Sequence, residues 1–236
     1  MIWHALKSNI RQLGWGTGIL YSVDRAMQQL SGGRFRIVRY RLVAQPVAEP
    51  IVKALRPSVS TSIRKIDNCD PIVSHFPREA TVIQRRFDVG AECYVAEVNH
   101  EFAGYLWLAF GGFAEDEVRC DYHFAQPIEC VWDFDVYVEP TYRLGRTFVR
   151  LWDAVNRDLT ARGVSWSCSR ISAFNPESVA AHRRLGIVEL YTATFFCLGT
   201  LQILAVGRFP YLHVGWRNDS RATLYLDPPQ AGRFSS

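Results

Sequence analysis

"DFDVYVEPTYRLGRTFVRLWDAV", residues 133–155, decides how the rest of the chain is read. Its first part closes the run "ECVWDFDVYV". There Cys130, Trp132, Phe134, Val136 and Val138 are apolar, while Glu129, Asp133, Asp135 and Tyr137 are mostly polar. A period of two means a strand with a core face, and it sets Asp133 and Asp135 together on the other face. Pro140 and Thr141 mark the turn out of it. Leu144, Phe148, Leu151, Trp152, Val155 and Leu159 then fall on one helical stripe, and Gly163 stops the helix. Between strand and helix lies "RLGR". A helix start leaves free backbone N–H groups, here near residues 144 to 148, at the positive end of the helix dipole. Gly145 has no Cβ to hold a phosphate away, and Arg143 and Arg146 favour an anion. Taken alone, the turn reads either as a phosphate cradle or as an ordinary helix start.

Outward from this stretch, strands and helices alternate. Upstream, "TSIRKI" reads as a short strand, and "CDPIVSHFPREATVIQRRFDVG" as helix and loop. "ECYVAEVN" and "EFAGYLWLAFGG" read as two strands about a tight turn at Asn99–His100, and "VRCDYHF" as a short strand. Downstream, "VSWSCSRIS" is a strand, "NPESVAAHRRLG" a short helix, and "VELYTATFFCLGTLQILAV" a strand pair about Gly199. Residues 1–31 carry helical spacing, with Leu6, Ile10 and Leu13 followed by Ile19, Val23 and Met27; "GWGTG" at 14–18 breaks it in two. "RFRIVRYRLVAQPV" is a strand with one charged face, and Pro46, Pro50 and Pro57 mark a connector over 46–62. The expectation is an α/β, mixed-sheet domain over 61–206, with an N-terminal extension over 1–60 and a C-terminal extension over 207–236.

Composition narrows the function. At 236 residues and 48% apolar, the chain can bury a large core. No apolar run reaches the length of a membrane-spanning helix, and the N-terminus lacks the pattern of a signal peptide. The six cysteines form no C-x-x-C pair and most sit in apolar runs, which points to packed, reduced thiols, no metal site and a cytoplasmic setting. The net charge is +4, and all basic residues but Lys7, Lys53 and Lys65 are arginine. The arginines are scattered without a basic run, which argues against nucleic-acid binding.

The helix at 175–186 changes the reading of "RLGR". Asn175 is a good N-cap, Pro176 suits the first helical position, and Gly186 is a stop. Asn175, Ser178 and His182 then stack three polar groups on one stripe. The whole order of strand, "VEPTYRLGR", amphipathic helix, strand, "NPESVAAHRRLG", strand resembles the acetyl-CoA-binding half of the GCN5-related N-acetyltransferase (GNAT) superfamily. Within it, the pattern is most similar to the phosphinothricin acetyltransferase-type branch. The resemblance covers roughly residues 61–206 and is strongest over 129–190.

That resemblance implies a fold, a cofactor and a site. The fold is the GNAT acyltransferase fold with a splayed central strand. The backbone of Val136, Tyr137 and Val138 pairs with the pantetheine arm of acetyl-CoA, or another acyl-CoA. The turn formed by Arg143, Leu144, Gly145, Arg146, Thr147 and Phe148 cradles the pyrophosphate. Asn175 and Ser178 lie beside pantetheine. His182 stands where many members carry the tyrosine that protonates the leaving thiolate, and Asp133 matches the general base, acting directly or through water. The chain departs from the family loop, Arg/Gln-x-x-Gly-x-Gly/Ala, at one small residue: Arg143 or Thr147 fills it, depending on register.

The implied activity is N-acetyl or similar acyl transfer to an amine on a small molecule or a protein. An amine arrives protonated, so a carboxylate base is useful. Asp135 is a rival base. Trp107, Tyr122, His123 and Phe124 are candidates to line an acceptor site. The alternative is a GNAT-like module that binds acyl-CoA or a partner without catalysis, with the N-terminal extension packing on the domain or forming a homodimer contact.

Overall fold

The structure is a computed structural model and describes residues 2–47, 58, 60–184 and 186–229. Most of the connector expected over 46–62 lies outside the described residues. In chain order the elements are α1 (Ile2–Leu13), α2 (Trp15–Leu30), β1 (Phe35–Pro46), β2 (Thr61–Ile66), α3 (Ala80–Asp88), β3 (Glu92–Val98), β4 (Glu101–Phe110), β5 (Phe113–Ala114), β6 (Cys120–Phe124), β7 (Cys130–Val138), α4 (Thr147–Ala161), β8 (Trp166–Ser172), α5 (Pro176–Arg183), β9 (Val188–Leu198), β10 (Leu201–Val206), β11 (Leu212–Gly215) and β12 (Ala222–Leu226). The chain is α/β, with parallel and antiparallel strand pairing both present. It divides into two compact units, one formed by residues 46–112 and 126–167, the other by residues 1–45, 113–125 and 168–236.

The unit formed by 46–112 and 126–167 is built on the strand order β7-β4-β3-β2, all antiparallel. Asn99 and His100 both take positive φ, 52° and 67°, which gives the tight β3–β4 turn the twist a two-residue hairpin needs. One face carries Cys93, Val95, Tyr105 and Trp107, packed against Ile72 and Phe76 of a 3-10 turn and Ile83 of α3. On the other face lies Tyr94, whose hydroxyl donates to Asp158 of α4. Leu106 pairs with Tyr94, and Val136 with Leu106, so these three share the face that α4 covers.

The β4–β7 pairing corrects the alternation expected for 130–138. Trp107 pairs with Asp135 and its neighbour Leu108 pairs with Asp133, which leaves Phe134 as the extra residue of a β-bulge. Consecutive residues of β4 point to opposite faces, so the two aspartates do too. Asp133 lies on the face covered by α4, and Asp135 on the face with Trp107. The bulge forms because Phe134 packs with Trp107, ring centroids 6.2 Å apart, instead of keeping step with the ladder.

In the unit formed by 1–45, 113–125 and 168–236, the strand order is β11-β10-β9-β1-β8. β1 and β9 pair antiparallel from Phe35↔Leu198 to Ala44↔Val188, with one irregularity at Leu42–Val43. A small sheet, β12-β6-β5, has β12 parallel to β6. Gly14, at φ 80°, separates α1 from α2, as "GWGTG" suggested. α2 rests on this unit through Asp24, whose carboxylate accepts the Ile37 N–H at 2.6 Å, and through Tyr21, whose ring meets Phe174 at 5.3 Å.

Candidate active site

Asp133 is 5% exposed. Its Oδ2 accepts a hydrogen bond of 2.7 Å from the hydroxyl of Ser167, itself fully buried. The sequence reading missed Ser167, because its place opposite Asp133 depends on strand order and not on local spacing. Asp135 sits in another setting. Its carboxylate takes Arg78 Nε at 3.1 Å, Arg86 Nη1 at 2.8 Å and the Tyr105 hydroxyl at 3.1 Å. The Arg86 guanidinium lies over the rings of Trp107 and Phe134, 5.3 and 5.2 Å from their centroids. Two guanidinium groups thus pair with this one carboxylate. The same surroundings, burial first and the Asp135 charge second, push the Tyr105 phenol well up. The arginines come from residues 49 and 57 positions away, which no local pattern reveals.

After Val138, a 3-10 turn over Pro140–Tyr142 leads into residues 143–146, and α4 starts only at Thr147. The helix therefore begins three residues later than its apolar stripe implied. Leu144, expected on that stripe, is outside the helix and fully exposed; the stripe proper is Leu151, Trp152, Val155 and Leu159, all fully buried. Arg143, Leu144, Gly145 and Arg146 are all exposed, Thr147 is buried and Phe148 half-buried. Two of the turn's N–H groups are used internally: Arg143 donates to the Pro140 carbonyl at 3.4 Å and Gly145 to the Tyr142 carbonyl at 3.1 Å. A Cβ at Gly145 would lie 3.2 Å from that same oxygen, so the turn is tight at this point. No side chain caps α4. Its first N–H groups remain available to an anion. Arg143 Nε donates to the Val138 carbonyl at 2.9 Å, and its guanidinium lies 6.0 Å from the Tyr137 ring centroid. The turn and the end of β7 are thereby joined by one side chain.

Asn175, Ser178 and His182 belong to the other unit, and α5 brings the three together. The Asn175 side-chain oxygen accepts the Ser178 N–H at 3.0 Å, capping the helix as expected. The Ser178 carbonyl lies 2.8 Å from His182 Nδ1. A carbonyl can only accept, so in this hydrogen bond Nδ1 carries the hydrogen, and Nε2 stands outside it. Val179, beside this stripe on α5, is buried against Val43 and Ile171 and fixes the orientation of the helix.

The aromatic acceptor candidates divide. Trp107, Tyr122 and Phe124 are buried, at 0, 0 and 4% exposure, and so serve packing; His123 is exposed, its ring 5.7 Å from that of Tyr225. Among the described residues there is no cluster of three His, Cys, Asp or Glu side chains able to hold a metal ion. All six cysteines are free, five of them buried and Cys69 exposed.

No protein-family model and no curated protein matches the sequence. Solved structures do align with it. A conserved protein of unknown function from Staphylococcus epidermidis is similar at 12% identity over 74% of this chain and 67% of its own, with a TM-score of 0.48. A protein from Novosphingobium aromaticivorans assigned to the GNAT family is similar at 16% identity over 67% of this chain and 63% of its own, TM-score 0.46. AAC(6')-Iy, solved with the bisubstrate analogue CoA-S-monomethyl-acetylneamine, is similar at 18% identity over 53% of this chain and 89% of its own, TM-score 0.42. The chain thus spans about two thirds of the length of the first two. These are loose likenesses, too loose for any residue's role to pass from those proteins to this one.

Proposed function

We propose that the protein is a GNAT-type acyltransferase that moves an acetyl or similar small acyl group from acyl-CoA to an amine. The observation that carries this reading is the run β7, exposed turn, α4. An exposed four-residue turn with two arginines and a glycine leads directly into the uncapped start of a fifteen-residue helix. Such a terminus presents N–H donors and positive potential to a pyrophosphate. In this reading Arg143 and Arg146 bind the phosphates, and backbone groups of Val136 to Val138 meet the pantetheine amides. Asp133, held by Ser167, takes the amine proton directly or through a water, and His182 Nε2 returns a proton to the departing thiolate. Attack of the amine on the thioester carbonyl and loss of the thiolate need no covalent enzyme intermediate. The setting is cytoplasmic, with reduced thiols.

One observation favours a second reading, a module that binds acyl-CoA or a partner without catalysis. Arg143 already occupies the Val138 carbonyl, and both carboxylates of β7 are engaged. Isothermal titration with acetyl-CoA, followed by free-thiol release over a panel of amines, separates the two. Binding with thiol release supports the transferase; binding without release on any amine supports the acyl-CoA-binding module; no binding rejects both of these. The release assay is best run on Cys69→Ser protein, since Cys69 is the one exposed thiol among the described residues.

A further inference from the structure

The α1–α2 hairpin exposes a surface that the proposed chemistry does not use. Along α2, Trp15, Ile19, Val23, Met27 and Leu30 recur at intervals of four, four, four and three, and are 74, 44, 43, 36 and 82% exposed. Spacing of this kind makes one stripe. The other two sides of α2 are occupied. Gly18 lets α1 approach so closely that a Cβ there would lie 2.7 Å from the Ile10 Cα, and Ser22 accepts from Asn9. Thr17 and Asp24 are buried on the third side. The exposed stripe is therefore the free side of a helix already anchored twice, not a frayed end.

Charge points to what covers it. Residues 1–36 hold Lys7, Arg11, Arg25, Arg34 and Arg36 against one acid, Asp24, a net +4. The whole chain is also +4, so everything after residue 36 balances to zero. Lys7, Arg11, Arg25 and Arg34 are exposed, and none of them is in an ion pair among the described residues. A second copy of the chain would bring +4 against +4. An anionic surface with an apolar interior meets both features at once: the headgroups take the basic residues and the acyl boundary takes the stripe. α2 has sixteen residues, and no helix among the described residues is long and apolar enough to cross a membrane, so the helix would lie in the interface.

We propose that the α1–α2 hairpin docks the protein on an anionic lipid surface, with the Trp15–Leu30 stripe seated at the acyl boundary. The test is co-sedimentation of the full chain with vesicles of phosphatidylcholine alone and of one part phosphatidylglycerol to three parts phosphatidylcholine. The wild type partitions onto the mixed vesicles about tenfold or more better than onto the neutral ones, and added salt reduces the difference. Ile19→Asp lowers partition onto the mixed vesicles by about tenfold or more. A Lys7→Glu, Arg11→Glu, Arg25→Glu triple variant, which leaves the stripe intact, loses the preference for the anionic vesicles. Circular dichroism of each variant matching the wild type confirms that the helices stand. The proposal is overturned if the wild type sediments with neither vesicle, or if the variants partition as it does. It is equally overturned if sedimentation velocity shows a dimer that Ile19→Asp converts to a monomer without vesicle binding, which makes the stripe a contact between copies.

Discussion

The two aspartates of β7 lie two positions apart in the chain, yet their surroundings differ. Asp135 is neutralised by Arg78 and Arg86 on the face that carries Trp107. Asp133 accepts instead from the hydroxyl of Ser167. Asp133→Asn keeps an oxygen for Ser167 to donate to and removes only the base. We expect acyl-transfer turnover to fall by about 10²-fold or more while acetyl-CoA affinity by titration stays near wild type. A larger loss in Asp135→Asn would move the base role there. Arg143 offers a second prediction. In the proposed binding mode its bond to the Val138 carbonyl competes with pantetheine, while its charge attracts pyrophosphate. A charge-assisted contact outweighs one neutral carbonyl bond. Arg143→Ala is therefore expected to weaken acetyl-CoA binding by about tenfold; tighter binding would mean that Arg143 acts as a latch on β7.

At the scale of the element, the end of β7 depends on Gly104. A Cβ there would lie 2.3 Å from the Tyr137 carbonyl oxygen and 3.1 Å from the Val138 Cα, both backbone atoms with little room to yield. Gly104→Ala should cost about 2–3 kcal/mol in urea denaturation and also weaken acetyl-CoA binding, because it displaces the residues proposed to meet pantetheine. A stability loss with unchanged affinity would detach Tyr137 and Val138 from the cofactor. This strand also shows what the sequence could and could not reveal. Local signals carried well: the Asn99–His100 turn, the break at Gly14, the Asn175 cap and the strand pair about Gly199 all stand where the residues indicated. What failed was anything set by a neighbour. Phe134 alternates perfectly in sequence, but Trp107 draws it into a bulge and turns Asp133 and Asp135 to opposite faces. Leu144 fits a helical stripe, but Pro140 and the internal bonds of the 143–146 turn delay the helix to Thr147. β1 was legible as a strand; that it pairs with β9, some 150 residues on, was not.

Across the whole molecule, the unit formed by 1–45, 113–125 and 168–236 poses a problem of assembly, since three separate pieces of chain must meet in one fold. One polar cluster draws on all three. Glu115, with its side chain fully buried, receives both nitrogens of the Arg170 fork, Nη2 at 2.7 Å, and the N–H groups of Asp116 and Glu117. The Arg170 guanidinium lies 4.5 Å from the centroid of the Tyr40 ring, and the Tyr40 hydroxyl donates to Glu117. Burying a carboxylate is tolerable only when it is paired and fully hydrogen-bonded, so the cluster forms complete or not at all. Arg170→Met leaves Glu115 charged and enclosed without its cation. The cost should be about 3 kcal/mol, and Arg170→Lys should recover little of it, since an ammonium neither forks onto a carboxylate nor stacks flat on a phenol ring. Adding Glu115→Gln to Arg170→Met removes the stranded charge and should return about 1 kcal/mol or more. Equilibrium denaturation of the four proteins in that cycle measures the coupling directly. A coupling near zero would mean that the three segments are held by apolar packing alone, with Glu115 and Arg170 adding nothing to their cohesion.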